Sequence, residues 1–575
     1  MTAYIVLAAV ALLLALLVGG RSPTALLFTV WAAGFHLAGL VSERDWLLSY
    51  SNPALVTLIV LLQVSLALER SPLLDRLTEL ILKGRPSMAV LRFSTMTCMI
   101  SAFINNTAVV GTLLGVISRQ RHQPPSKLLI PLSYGAIVGG IVTLVGTSTN
   151  LVVNSFVVDA KLPPLEMFQF SMVGVPVALA CIAVMTLCTG LLPANKPESK
   201  KSRQAYFLEA KVSPGSQLAG KSIEDNLLRN LDGLFLLEIE REERLISPVG
   251  PDEILCEGDI LVFTGDMTKV QALHAFPGLH VFGTRADTLL GSNLVEVVIS
   301  NESILANRTL REVDFRSHFD AGVVGIRRGD KRLSGQLGRI PLRVGDSLLL
   351  AVGGDFAQHR NIERNFHVLD GEMLRPRLTP RQSVFTLAGF ALAIGLSAAE
   401  IWPLLNSLLV LLAVLLVSRI LTLAELRRRF PFDLLLIIGS ALTISRALES
   451  SGAAQLIADT MRSIFDGYGV YGAFVGVYLI TLAVTEVIPN NAAAALAFPI
   501  GLSTARAFNA DPTPFVMAVA YGASACFMVP FGYQTHLMVM SPGRYRATDY
   551  FKAGLPVSLT YSAGVLGLVP VFFPF

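Results

Sequence analysis

Ile104-Asn105-Asn106-Thr107 and Pro489-Asn490-Asn491-Ala492 decide how this chain folds. Each sets two adjacent carboxamides at the centre of an apolar stretch, about 86–120 and 469–509, where a continuous membrane crossing holds Leu or Val. Lys83, Arg85, Arg119, Arg121 and Lys127 flank the first stretch, which places both of its ends on one basic side of the bilayer. A segment that enters and leaves on one side is a re-entrant hairpin. The second doublet, 385 residues later, predicts a second hairpin.

Other blocks repeat in the same order. Ser133-Tyr134-Gly135-Ala136 matches Ala520-Tyr521-Gly522-Ala523 at a spacing of 387, and Gly146-Thr147-Ser148-Thr149 matches Gly532-Tyr533-Gln534-Thr535 at 386. Gly174-Val175-Pro176 matches Gly554-Leu555-Pro556 at 380. Runs long enough to cross roughly 30 Å of hydrocarbon lie near 3–20, 24–42, 53–69, 127–150 and 170–194, then near 382–400, 402–422, 431–448, 514–536 and 551–574. Five crossings per half is odd, so the second half is inverted relative to the first. Arg427, Arg428, Arg429, Arg544, Arg546 and Lys552 then share one side with residues 196–378, which the positive-inside rule makes cytoplasmic. The first run lacks the basic start and small-residue cleavage site of a signal peptide, so it reads as a retained helix with its N-terminus outside.

The predicted fold is an α-helical multi-pass membrane protein of two inverted repeats, 1–195 and 379–575. Each repeat has a re-entrant hairpin and a broken helix, and an inserted α+β cytosolic domain pair separates them. Composition agrees: 53% of the 575 residues are hydrophobic and 15% charged, against about 25% charged in soluble domains. A net charge of +4 without a basic stripe excludes nucleic acid as a partner. Cys98, Cys181, Cys188, Cys256 and Cys526 show neither CxxC nor CxxH spacing, so no zinc site or disulfide framework is expected. Neither GxSxG, a P-loop nor a His-rich cluster supports an enzyme, and no cofactor is expected.

Inverted repeats with broken helices characterise secondary transporters, whose substrate site lies at the repeat interface near the bilayer midplane. Gly146-Thr147-Ser148-Thr149-Asn150 interrupts an apolar run with carbonyls and hydroxyls, hard ligands for a small cation. Half-helices restarting after the Asn doublets offer free N–H groups to an anion. Glu486 is either a coupling acid or a brace for the second hairpin, and His536 reads as a polar packing residue. A proton-coupled anion antiporter and an ion channel remain alternatives, although the Thr-Val-Gly-Tyr-Gly filter of potassium channels is missing.

The two hairpin tips and the Gly-Thr-Ser-Thr-Asn stretch resemble the divalent anion:sodium symporter family of the ion transporter superfamily, across 1–195 and 379–575. The pattern is nearest its sulfate-transporter branch with an inserted soluble domain. The resemblance implies a homodimeric elevator carrier in the cell membrane that couples sodium entry to uptake of sulfate or a dicarboxylate. It places one Na+ near Asn105, Asn106, Gly146 and Thr147, and another near Asn490, Asn491 and Gly532. Substrate and cation contacts then fall on these residues with Thr107, Ser148, Thr149, Asn150, Gln534 and Thr535. Asn stands where the family has Ser in both tips, and Ala492 stands where it has Thr, which favours an inorganic oxyanion.

The insert repeats internally: Glu209–Ser222 matches Glu296–Thr309, and Gly258-Asp259 matches Gly345-Asp346, all at 87 residues. Each unit reads as a strand, a turn entering a helix, then further strands. The pair, 196–288 and 289–378, resembles two C-terminal lobes of the RCK module, which implies a dimer clamp or an unknown ligand at 204–370.

Overall fold

The computed structural model describes residues 2–19, 23–70, 81, 85–120, 123–195 and 378–575, and most of 207–369. Arg21, Lys83, Arg121 and the boundary between 288 and 289 lie outside the described residues.

The first repeat runs through α1 (Thr2–Gly19), α2 (Thr24–Leu37), the short α3 (Glu43–Tyr50) and α4 (Pro53–Leu68). It continues through hairpin arms α5 (Pro86–Ser101) and α6 (Asn106–Arg119), the broken pair α7 (Leu129–Gly140) and α8 (Ser148–Asp159), and α9 (Ser171–Leu187). Among the described residues between the repeats stand strands β1 to β10 with two short α-helices, α10 (Phe315–Phe319) and α11 (Ile362–Asn365). The second repeat begins with α12 (Pro380–Ala398), α13 (Leu404–Val417), the short α14 (Leu423–Arg428), α15 (Phe432–Ser450) and α16 (Ala453–Phe465). Arms α17 (Gly469–Thr485) and α18 (Asn490–Ala507), the pair α19 (Pro512–Ala523) and α20 (Gln534–Gly543), and α21 (Ala547–Phe572) complete it.

Five described helical segments have the length and apolarity of a span: Thr2–Gly19, Glu43–Leu68, Ser171–Leu191, Pro380–Ala398 and Ala547–Phe572. The runs expected at 127–150 and 514–536 as single crossings are each two half-helices and reach further, to Asp159 and Gly543. Glycine and hydroxyl residues at the breaks favour unwound backbone, and the apolar stretch beyond restarts the helix.

Packing repeats with the sequence. A Cβ on Gly135 would meet the Ser94 carbonyl at 3.2 Å, and one on Gly522 would meet the Thr481 side chain at 3.0 Å. A Cβ on Gly174 would meet the Ile141 carbonyl at 2.6 Å, and one on Gly554 would clash with that of Phe527. These glycines let α9 and α21 press directly onto the unwound backbone. Ser42 caps α3 by accepting from the Asp45 N–H at 3.1 Å, and Thr422 caps α14 by accepting from Glu425 at 3.3 Å. The two acids then pair across repeats, Glu425 with Arg70 at 2.8 Å and Asp45 with Arg446 at 3.3 Å.

Symmetry breaks at one boundary. Hairpins, broken helices, α9 and α21 form a core, while α1–α4 and α12–α16 form a scaffold. From the core, α8 packs on scaffold helices α4 and α15, and α18 packs on α15 and α16. Their counterparts α20 and α6 have no comparable scaffold packing among the described residues; they pack on each other. Polar ties follow the same bias: Asn52 Nδ2 donates to the Ser155 carbonyl at 3.0 Å, Arg446 Nε lies 3.2 Å from Asp159, and Arg506 lies 3.6 Å from Glu449.

The insert forms two five-stranded antiparallel sheets of the same order. One comprises β1 (Phe207–Val212), β2 (Leu234–Arg241), β3 (Arg244–Ile246), β4 (Ile260–Gly265) and β5 (Leu279–Phe282), ordered β3-β2-β4-β1-β5. The other comprises β6 (Leu294–Ile299), β7 (Ala321–Arg328), β8 (Lys331–Leu333), β9 (Ser347–Val352) and β10 (Phe366–Val368), ordered β8-β7-β9-β6-β10. The turn expected to enter a helix stays a series of turns after Gly220 in the first unit and leads to the single-turn α10 in the second. Each unit holds one forked pair at matching positions: Arg241 grips Asp259 at 2.9 Å through two nitrogens, and Arg328 grips Asp346 at 2.8 and 2.7 Å. Hydrogen bonding to Asp346 raises the Arg328 guanidinium above its usual range. Arg328→Ala strands Asp346, whose side chain is 1% exposed, and is expected to cost the second unit about 2 kcal/mol, less than a fully buried pair because Arg328 is partly exposed. Limited proteolysis, with faster cleavage between 310 and 350 in the variant, checks this.

Candidate functional site

Four half-helices begin at one place: α6 at Asn106, α8 at Ser148, α18 at Asn490 and α20 at Gln534. Local chemistry sets these starts. Asn105 caps α6 by accepting from the Thr107 N–H at 2.9 Å, and Pro489 fixes the entry to α18. Contacts then cross the repeats. Thr107 Oγ1 lies 3.5 Å from Gln534 Oε1, joining α6 to α20. Ser148 Oγ donates to Asn491 Oδ1 at 3.1 Å, with Thr149 Oγ1 at 3.5 Å, joining α8 to α18.

One buried tyrosine ties the two repeats together. The Asn106 amide donates to the Tyr533 hydroxyl at 3.1 Å, and Thr147 Oγ1 lies 3.5 Å from that hydroxyl. Tyr533 was not among the expected contact residues, because an aromatic in an apolar run reads as packing. Its signal was its position 386 residues from Thr147. Asn105, Thr107, Ser148, Asn491 and Gln534 reach the surface, whereas Asn106, Thr147, Thr149, Asn150, Asn490 and Thr535 are buried. Four helix N-termini behind a polar, accessible rim present partial positive charge and free N–H groups, the elements of an anion site.

Beneath the rim the first break is crowded with oxygen. A Cβ on Gly146 would meet the carbonyls of Gly140 at 2.6 Å, and of Ala102 and Ser101 at 2.9 Å. A Cβ on Gly140 would meet Asn106 Oδ1 at 2.5 Å. The nearby donors are committed: Ser101 Oγ donates to Asn106 Oδ1 at 2.8 Å, Thr143 Oγ1 to the Ala102 carbonyl, and Asn150 Nδ2 to the Thr143 carbonyl at 2.9 Å. Asn150 Oδ1 is fully buried and has no hydrogen-bond partner among the described residues. Acceptors in excess of donors, all of them oxygen, suit a hard monovalent or small divalent cation.

The second break differs. A Cβ on Gly532 would meet the Thr485 carbonyl at 2.9 Å and clash with the Cys526 sulfur, so a thiol takes a place that oxygen holds in the first break. Thr485 Oγ1 donates to the Ala523 carbonyl at 2.7 Å and lies 3.3 Å from Asn490 Oδ1, as Ser101 does to Asn106. These bonds pair Asn106 with Asn490 at a spacing of 384, one residue off the alignment of the two doublets. Thr535 faces away from the rim, within 2.8 Å of Ser133 Oγ.

Glu486 lies against the second break. Its carboxylate accepts from the Met528 N–H at 3.4 Å and from Cys526 Sγ at 3.4 Å. Glu486→Gln is therefore expected to leave the pH profile of transport unchanged while costing on the order of 1 kcal/mol of stability, read as a lower thermal midpoint in detergent. His536 is equally committed: Nε2 donates to the Cys526 carbonyl at 3.0 Å, so Nδ1 accepts from Ser133 Oγ at 2.7 Å.

The sequence profile of the citrate transporter family, CitMHS, matches residues 1–522. This chain belongs to that family. It is a membrane transporter and not an enzyme. A Chlamydomonas reinhardtii protein whose name describes a sulfur deprivation response regulator is 30% identical over 562 residues, covering 93% of this chain and 96% of that one. The uncharacterized transporter YfbS of Escherichia coli is 25% identical, with 96% of each chain covered. Sodium/sulfate cotransporter 1 of Chlamydomonas reinhardtii is 27% identical over 394 residues, 65% of this chain and 44% of the relative.

Proposed function

We propose that this CitMHS-family transporter is a sodium-coupled importer of a small divalent oxyanion, with sulfate as its substrate. The observation that carries the reading is the convergence of four helix N-termini on Thr107, Ser148, Asn491 and Gln534, directly over the oxygen-lined break at Gly146. Sodium enters first. Carbonyls of Ser101, Ala102 and Gly140 with Asn106 and Asn150 hold it, and its charge offsets their repulsion of an incoming anion. The oxyanion then accepts from helix-start N–H groups and the hydroxyls of Thr107 and Ser148. Relatives named sodium/sulfate cotransporters support both ions.

The uneven packing of core on scaffold supports an elevator: α8 and α18 hold the scaffold in this arrangement, and α6 and α20 hold it in the opposite one. Residues 196–378 face the cytoplasm in this reading, and two copies pair in the cell membrane. Commitment of Glu486 and His536 to backbone and hydroxyl partners weighs against proton coupling. Uptake of labelled sulfate into proteoliposomes, with and without an inward sodium gradient, tests the proposal. Saturable, gradient-dependent sulfate uptake that unlabelled succinate and citrate fail to displace is expected. Uptake driven equally by a proton gradient alone would overturn the sodium assignment, and displacement by the carboxylates would overturn the substrate.

A further inference from the structure

We infer that the second β unit, β6 to β10, is an autoinhibitory brace that holds the core in the arrangement of this structure; the inference rests on the elevator reading above. The chain's own twofold supplies the argument. In the first repeat one face of α8 meets the scaffold, through the Ser155 carbonyl to Asn52 and through Asp159 to Arg446. Residues 386 positions later are Ser541 and Tyr545. In the opposite arrangement that face of α20 takes the scaffold contact.

Here the β unit covers it. The Gly329 N–H donates to Ser541 Oγ at 3.1 Å, and Ser541 Oγ donates onward to the Gly345 carbonyl at 2.5 Å. Arg546 Nε lies 2.6 Å from Asp330 Oδ2. A Cβ on Gly329 would meet the Tyr545 carbonyl at 2.7 Å, and one on Gly345 would meet that of Leu537 at 2.7 Å. Both glycines sit at positive φ, +60° and +84°, so the turns that make this contact depend on them. His367 reaches Gly111 on α6, the other core helix without comparable scaffold packing. The matching turn of the first unit, at Gly258, has open space around it, so among the described residues this docking belongs to the second unit. While Ser541 Oγ is bonded to Gly329 and Gly345 this face is closed to the scaffold; the core advances only when the unit lets go.

The test loosens and locks the contact in the full chain, with Cys188 and Cys256 replaced by Ser. Asp330→Ala with Arg546→Ala, and separately Gly329→Val, loosen it. The state reporter is disulfide yield between cysteines placed at 159 and 446, which needs no substrate. Loosening is expected to lower that yield severalfold and to raise the initial rate of sulfate uptake about threefold, in protein that elutes as a single species. Locking by Asp330→Cys with Arg546→Cys is expected to cut uptake below a tenth, restored by reductant. An unchanged reporter yield on loosening, or undiminished transport when locked, overturns the brace. Absence of sulfate uptake by the parent protein counts against the proposed substrate alone, because the reporter still reads the state.

Discussion

Gly146→Ala is expected to reduce uptake of sulfate, the proposed substrate, about 100-fold or more, whereas Gly34→Ala is expected to leave it within about twofold. A methyl on residue 146 meets three backbone carbonyls, from Gly140, Ala102 and Ser101, at 2.6 to 2.9 Å. None of these atoms can swing aside as a side-chain tip could. The break must widen, and the carbonyls proposed to take the cation then separate. A 100-fold loss corresponds to about 3 kcal/mol of transition-state stabilisation, which displacement of a few oxygens at a cation site readily exceeds. At Gly34 an added Cβ meets nothing within 4 Å, and alanine suits a helix interior better than glycine. Sodium dependence separates a damaged site from misfolding. The half-saturating sodium concentration rises in the residual activity of Gly146→Ala, with monodisperse elution preserved; an unchanged sodium dependence would move the cation away from this break.

Much of the architecture was legible because lipid leaves few ways to place polar residues. Two Asn doublets and a Gly-Thr-Ser-Thr stretch inside apolar runs have no stable position in a continuous lipid-facing helix, so they announce hairpin tips and a break. The alternation of apolar runs and basic ends likewise fixed the inversion of the second half. The register of the doublets was harder. Two adjacent asparagines do not say which one caps the helix and which one turns inward; Asn105 takes the cap in the first tip, Pro489 takes it in the second, and the inward partners are Asn106 and Asn490. Tyr533 stayed hidden because its hydroxyl matters only once α6, α8, α18 and α20 are brought together. Uneven seating of the core was beyond reach in principle. A sequence repeat describes the two halves alike, while the scaffold grips α8 and leaves α20 to the β unit. For Glu486 the sequence left coupling acid and brace open, and the structure adds its partners, the Met528 N–H and the Cys526 thiol.

Among the tip residues, Asn106→Ala is expected to be the most damaging, lowering uptake on the order of 100-fold. Asn106 is 3% exposed and links three elements: it accepts from Ser101 on α5, begins α6, and donates to Tyr533 before α20. Alanine leaves the Ser101 and Tyr533 hydroxyls short of a partner at a depth where each unsatisfied group costs about 1–3 kcal/mol. It also takes away an oxygen beside Gly140 in the proposed cation pocket. Tyr533→Phe keeps the ring and loses only the hydroxyl, so its expected loss is smaller, about tenfold. Asn490→Ala falls below both, since Thr485 keeps its 2.7 Å bond to the Ala523 carbonyl. Asn105→Ala removes only the cap of α6, about 1 kcal/mol, and shows in stability before it shows in transport. Rates of sulfate uptake at matched surface expression rank the four. Should Asn490→Ala be hit harder than Asn106→Ala, the second break rather than the first holds the coupling cation, with Thr485 and Gly532 as its ligands.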